Sequence, residues 1–211
     1  MAEIPAVTRV GVVLFEGFTV LDVYGPVQAF GACRIARPEG PPHRFFQIFT
    51  MADRPGPVPS GEGPASQADY AFADSPGCDI LLIPGGFGTR AAVNDDGFLA
   101  RLGAASRQAT VTTTVCTGSA LLARTGLIDG RPATSNKIAW DWVLQQGPRV
   151  LWKRKARWVD DGDLVTSSGV SAGIDMTLAL IARLHGRDMA VSAARNMEYV
   201  WRDNPEDDPF A

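Results

Sequence analysis

The sequence predicts an α/β sandwich built on a mainly parallel sheet, and three observations carry that expectation. Short apolar runs rich in β-branched and aromatic residues recur at Val7 to Phe15, Arg44 to Met51, Asp79 to Ile83 and Thr110 to Val115. Such near-continuous runs mark strands covered on both faces, as parallel strands are. Segments with apolar residues at helical spacing lie between them, and strands alternating with helices give a layered α/β domain. The third observation is local. The Thr110 to Val115 run stops at Cys116, the small residues Thr117-Gly118-Ser119 follow, and an apolar helical pattern begins at Leu121. That order describes a strand, a sharp turn and a helix, with a thiol at the turn.

In the first unit, Val7 to Phe15 is uncharged from Val10 onward, and Glu16-Gly17-Phe18 makes the turn. Thr19 is placed to cap a helix carrying Leu21, Val23, Val27 and Phe30, with Asp22 in its first turn, where an acid suits the helix dipole. Arg44 to Met51 is the second strand. Between Asp53 and Ser66, four prolines and three glycines indicate a turn-rich connection with a short hairpin. Asp79 to Ile83 runs into Pro84-Gly85-Gly86-Phe87-Gly88. A glycine-rich loop after a parallel strand lets backbone approach a ligand and offers free N–H groups. It lacks the Gly-x-Gly-x-x-Gly spacing of a dinucleotide site and fits a backbone anion pocket better.

Phe98, Leu99, Leu102 and Ala105 predict a helix before the Thr110 strand. After the elbow helix, Gly126 to Gly130 is a stop and turn, and Ala133-Thr134-Ser135-Asn136 leads to a helix carrying Ile138, Trp140, Trp142 and Val143. Val150 to Val159 and Asp163 to Ser167 flank Asp160-Asp161-Gly162, a hairpin signal. Small residues from Thr166 to Gly173 open an apolar helix, Ile174 to Leu184, for which Ser171 or Asp175 is a candidate cap. A last helix is expected from Asp188 to Trp201.

Composition narrows the function. With 211 residues and 45% hydrophobic content, residues 1–211 suit a single domain with a sizeable core. The formal net charge is -3, and the densest basic cluster, Lys153, Arg154, Lys155 and Arg157, is interleaved with Trp152, Ala156 and Trp158. That mixture predicts a partly solvated strand rather than a nucleic-acid surface. The acidic stretch Asp203 to Asp208 is expected to be solvated. Ala2-Glu3-Ile4-Pro5 has no signal-peptide features, and no apolar run approaches the roughly 20 residues of a membrane span. Cys33, Cys78 and Cys116 are an odd, widely spaced set, which implies reduced thiols and a cytoplasmic protein. With His43 and His185 as the two histidines and no Cys-x-x-Cys, zinc is not expected.

The elbow carries the chemistry. A strained strand-to-helix turn lifts a nucleophile clear of the sheet, as it does for the serine of α/β-hydrolases. For cysteine, unpaired N–H groups and the helix dipole favour the thiolate. Asp22, Gly85-Gly86 and Cys116 each follow a strand, and ligands gather at the carboxyl ends of parallel strands.

Leu21-Asp22-Val23-Tyr24-Gly25-Pro26, Ile83-Pro84-Gly85-Gly86, Val115-Cys116-Thr117-Gly118-Ser119 and Gly173-Ile174-Asp175 together resemble the ThiJ/PfpI superfamily, and most of all its isocyanide (isonitrile) hydratase branch. The resemblance runs from about Val10 to Phe210. It implies a flavodoxin-like three-layer sandwich, a homodimer, a small-molecule substrate, and no metal or organic cofactor. It also implies Cys116 as nucleophile and Asp22 as its acid/base partner. The Thr117 N–H, with Gly85 and Gly86, would face developing charge. Many superfamily members have Glu at the acid position and His after the cysteine. The missing histidine argues against peptidase and amidase chemistry, which needs an imidazole base beside the thiol. Hydratases carry Thr-Thr-His where this chain has Thr134-Ser135-Asn136-Lys137, which leaves the substrate class open. Two alternatives stand beside isocyanide hydration: glyoxalase- or deglycase-like action on 2-oxoaldehydes, and a ligand or redox sensor. The chain ends at Ala211 without a basic helical extension, so direct nucleic-acid binding is not expected; without a long apolar run, no membrane partner is expected either.

Overall fold

The computed structural model describes residues 6–37 and 39–211. The N-terminal stretch Ala2-Glu3-Ile4-Pro5, read above for targeting signals, lies outside the described residues. Seven strands form the main sheet: β1 (Thr8–Val13), β2 (Phe46–Ala52), β3 (Tyr70–Ala71), β4 (Ile80–Ile83), β5 (Val111–Thr114), β6 (Trp158–Asp160) and β7 (Leu164–Ser167). Their order is β6-β7-β5-β4-β1-β2-β3, and every pairing is parallel except β6 with β7. All four residues of β4, β5 and β7 are buried. Successive strand residues point to opposite faces, so both faces of the sheet are covered, which is the pattern the apolar runs predict. The architecture is a flavodoxin-like α/β sandwich.

The helices are α1 (Val20–Ala32), α2 (Thr89–Ala92), α3 (Asp96–Gln108), α4 (Gly118–Arg124), α5 (Trp140–Gln146), α6 (Ala172–His185) and α7 (Arg187–Asn196). They pack in two groups, α1 with α6 and α7, and α4 with α2, α3 and α5. Register places the site. Val12 pairs with Leu82, and Ile83 with Thr114, so the loops after β1, β4 and β5 leave the sheet side by side. The proline-rich connection folds as the expected hairpin, Gly56–Pro59 against Ala65–Ala68.

Several local expectations are corrected. Val150 to Val159 is not one strand: Leu151–Trp152 pairs with Pro132–Ala133, a turn follows, and β6 begins at Trp158. The basic cluster therefore sits on a turn, and Arg157 is buried. Ile138 lies outside α5 and is 98% exposed. The last helix stops at Asn196 rather than Trp201.

Nor is Asp175 a cap. Its Oδ2 accepts from Arg157 Nε at 2.8 Å and Nη2 at 2.5 Å, and its Oδ1 accepts from Tyr199 Oη and Arg202 N, each at 3.0 Å. Ser171 occupies the N-cap position without a side-chain bond. The tail is only partly solvated, because the Asp208 carboxylate is buried between Lys137 Nζ at 3.6 Å and Arg157 Nη1 at 3.9 Å. These two acids are buried because buried cations face them. Removing one partner of a buried pair strands the other charge. Asp175→Ala is therefore expected to destabilise the fold by roughly 3–5 kcal/mol, read as a lower denaturant midpoint with circular dichroism.

Candidate active site

Cys116 occupies the predicted elbow between β5 and α4 with φ 58°. A non-glycine residue there is strained by about 1–3 kcal/mol and persists only where its surroundings hold it. They do so here through its backbone. Cys116 N–H donates to Ser168 O at 3.2 Å, and its carbonyl accepts from Ser119 Oγ at 3.2 Å and Ser135 Oγ at 2.8 Å. Gly118 lets α4 start against the glycine loop, since a methyl group on it would overlap the Ile83 carbonyl oxygen and press on that of Pro84. Gly118→Ala is expected to cost about 1–3 kcal/mol as overpacking and to lower the melting temperature measured by calorimetry.

Asp22 is fully buried in the first turn of α1. It caps nothing: its Oδ2 accepts the Gly85 N–H at 2.9 Å. Thr19, at the N-cap position, makes no side-chain cap bond; its N–H donates to Gly85 O at 2.9 Å and draws the start of α1 against the loop. A Cβ at Gly85 would lie 2.5 Å from Thr117 N and 2.9 Å from Asp22 Oδ2, so only glycine fits between the acid and the elbow.

Electrostatics couple the two groups. Burial, with a smaller contribution from Glu62, raises the Asp22 carboxyl from 3.8 to about 7, against the opposing pull of the Gly85 N–H and the Cys116 thiol. Burial and then the Asp22 charge push the Cys116 thiol up to about 12, although the N–H groups of Thr117 and Val170 and the Asn136 side chain favour its thiolate. The expected thiolate preference is thus reversed. A helix terminus contributes up to about 2 kcal/mol, and desolvation beside a carboxylate outweighs it. The thiol and the carboxyl interact, yet no well-formed hydrogen bond joins them, because Asp22 Oδ1 is buried without a partner. Below about pH 7 both groups hold a proton; above it the pair is a thiol beside a carboxylate.

The glycine loop is engaged in assembling the site. Gly85 N–H is held by Asp22, and Gly86 N–H donates to Thr117 Oγ1 at 3.1 Å. Thr89 Oγ1 donates to Gly86 O at 2.7 Å and lies 3.2 Å from Thr117 Oγ1. The N–H groups that favour a negative sulfur are those of Thr117 and Val170.

The family model of DJ-1/PfpI matches residues 8–183. The chain belongs to the DJ-1/PfpI family. It is 31% identical over 192 residues to the isonitrile hydratase of Pseudomonas putida, spanning 91% of this chain and 78% of that protein. It is also 28% identical over 201 residues to the HTH-type transcriptional regulator GbdR of Pseudomonas aeruginosa, covering 94% of this chain and 52% of the regulator. This chain thus spans about half the length of that relative. Among solved structures, a ThiJ/PfpI family protein from Pseudomonas syringae superposes with a TM-score of 0.80 at 31% identity, over 92% of this chain and 76% of that one. DJ-1beta of Drosophila melanogaster shares the fold, with a TM-score of 0.77 at 16% identity, over 93% of this chain and all of that one.

Within this DJ-1/PfpI chain, two neighbours of the thiol and one nearby cation escape sequence reasoning. Val170 has φ 42°; the small-residue run around it was a usable signal, taken above for helix capping. Asn136 sits beside the thiol, its Oδ1 fixed by Ala139 N–H at 2.8 Å. The departure at Thr134 to Lys137 marked that segment, and Ser135 ties it to the elbow. Arg90, one turn past the glycine loop, carried no motif. His43 and His185 both pack against the Phe45 ring. All three cysteines are free. Among the described residues no three His, Cys, Asp or Glu side chains gather to hold a metal, and no helix is long and apolar enough to cross a membrane.

Proposed function

We propose that this protein hydrates small organic isocyanides to N-substituted formamides, with Cys116 as nucleophile and Asp22 as general acid and base. The observation that carries the reading is the coupled pair, a buried thiol beside a carboxyl raised to about 7. A carboxyl poised near neutral pH suits proton transfer in both directions. In the thiol–carboxylate form, Asp22 takes the proton from Cys116 as sulfur attacks the terminal isocyanide carbon. The same proton passes from Asp22 to that carbon, giving a thioimidate with one new S–C and one new C–H bond. Asp22, again a carboxylate, removes a proton from water as the oxygen adds to the thioimidate carbon, and that proton reaches the nitrogen. Collapse breaks the S–C bond, releases the formamide, and leaves sulfur to recover its proton. Thr117 and Val170 N–H groups face the sulfur, so they favour it as attacking and leaving thiolate.

The 31% identity to the Pseudomonas putida hydratase supports this assignment. Purified protein should convert an alkyl or aryl isocyanide to its formamide, followed by the formyl proton signal in NMR; no conversion across a panel of both would reject it. A homodimer belongs to the same proposal, and sedimentation would report its mass.

The likeness to GbdR along most of this chain supports a second reading, ligand sensing without turnover. Saturable isocyanide binding with no formamide formed would favour it. A redox sensor draws less support, because low-pKa thiols are the readily oxidised ones and burial pushes this one up.

A further inference from the structure

The charges around the pair are unequal on its two sides. Asp22 is negative above about pH 7, and Glu62, whose Oε2 accepts Val20 N–H at 2.9 Å, adds to the same side. A cation tied to the elbow through α2 is Arg90, whose charge would favour a Cys116 thiolate when one forms. Its guanidinium is fixed in place. Nη1 donates to Thr89 Oγ1 at 3.0 Å, and that oxygen lies 3.2 Å from Oγ1 of Thr117, the residue after the nucleophile. One face lies over the Trp142 ring, with Cζ 4.0 Å from the centroid, and the Phe87 ring is 5.5 Å away.

A guanidinium held by stacking and one hydrogen bond keeps its remaining donors free for a carboxylate. Among the described residues Arg90 joins no salt bridge, and its Nε and Nη2 find no acceptor. Stacking leaves the guanidinium edge open, and that edge is the part that binds carboxylates in a fork.

We propose that Arg90 is a specificity residue that selects substrates carrying a carboxylate, which its Nε–Nη2 edge holds while the reacting carbon reaches Cys116. Applied to the hydration reading, on which this part rests, the substrates are small isocyano carboxylic acids. Recognition of the anion itself does not depend on the reaction catalysed, and the tests separate the two.

The first test is alkylation of Cys116 by iodoacetate and by its neutral counterpart iodoacetamide, quantified on the Cys116 peptide by mass spectrometry. In both reactions an S–C bond forms, C–I breaks, iodide leaves and the thiol proton goes to solvent. The ratio of iodoacetate to iodoacetamide rate constants is expected to fall at least about tenfold in Arg90→Met, the size of one charged hydrogen bond. Arg90→Lys should retain part of it. The second test compares kcat/KM for isocyanoacetate and its methyl ester, whose ratio should fall with the same variant. A lower alkylation ratio without turnover of either isocyanide upholds the anion site and rejects the hydratase reading. An unchanged alkylation ratio overturns the Arg90 assignment, whatever the turnover. Should Arg90→Met not fold, protection of wild-type Cys116 from iodoacetamide by phenylacetate, but not by phenylacetamide, upholds the anion site; equal protection overturns it.

Discussion

Replacing Cys116 with alanine is expected to abolish isocyanide turnover, by at least about 10³-fold, because no covalent intermediate forms without the nucleophile. The loss should be in kcat and not in folding. Cys116 is held at φ 58° by backbone groups and by the hydroxyls of Ser119 and Ser135, none of which needs its sulfur. Alanine also removes a thiol that has no well-formed hydrogen bond to Asp22. Circular dichroism and the melting temperature should therefore stay near wild type while formamide production stops. Turnover by Cys116→Ala at the wild-type rate would remove the nucleophile from the mechanism.

Asp22→Asn should separate catalysis from stability in the opposite direction. General acid–base catalysis is typically worth about 10²–10⁴-fold, and the variant should lose that much of kcat/KM. Its pH profile should change as well. In the wild type the competent form is thiol beside carboxylate, so kcat/KM should rise with pH through the apparent value near 7 and level off above it. Asparagine has no such titration, and that limb should vanish. Stability follows from the same group. The native state keeps the Asp22 proton up to about pH 7, whereas the unfolded chain loses it near 3.8. The native state thus binds more protons between these values, and stability falls as pH rises through that window. The raised carboxyl corresponds to roughly 4 kcal/mol of destabilisation above pH 7. Asp22→Asn is therefore expected to melt several degrees above wild type at pH 8 and to lose most of that advantage at pH 4. A pH-independent difference would show that the Asp22 charge does not set this stability.

The fold was largely legible because its signals are periodic. Runs such as Ile80–Ile83 and Val111–Thr114 are buried on both faces and read as parallel strands on composition alone. The site was legible where chemistry coincided with topology. Asp22, Gly85 and Cys116 each end up after a strand at one sheet edge, and the structure brings them into contact. Three-dimensional balances were less accessible. The elbow implied a lowered thiol pKa, but the amount of burial, and a carboxylate beside it, are properties of packing. Asp175 and Asp208 passed for cap and tail because their partners, Arg157 and Lys137, are distant in sequence and buried only in the folded chain. Val170 N–H and the Arg90 guanidinium depend on a positive φ and on a stacked aromatic, and neither leaves a spacing to find. Gly86 shows the same limit from the other side, since its N–H is satisfied by Thr117 Oγ1.

The mechanism requires Cys116 to form a bond to the substrate carbon. Wild-type protein mixed with an aryl isocyanide should be quenched in acid within a turnover and its Cys116 peptide weighed. A mass increase equal to the whole isocyanide is expected, absent from the Cys33 and Cys78 peptides and diminished in Asp22→Asn. Formamide accumulating at full rate with no adduct on Cys116 at any quench time would contradict it.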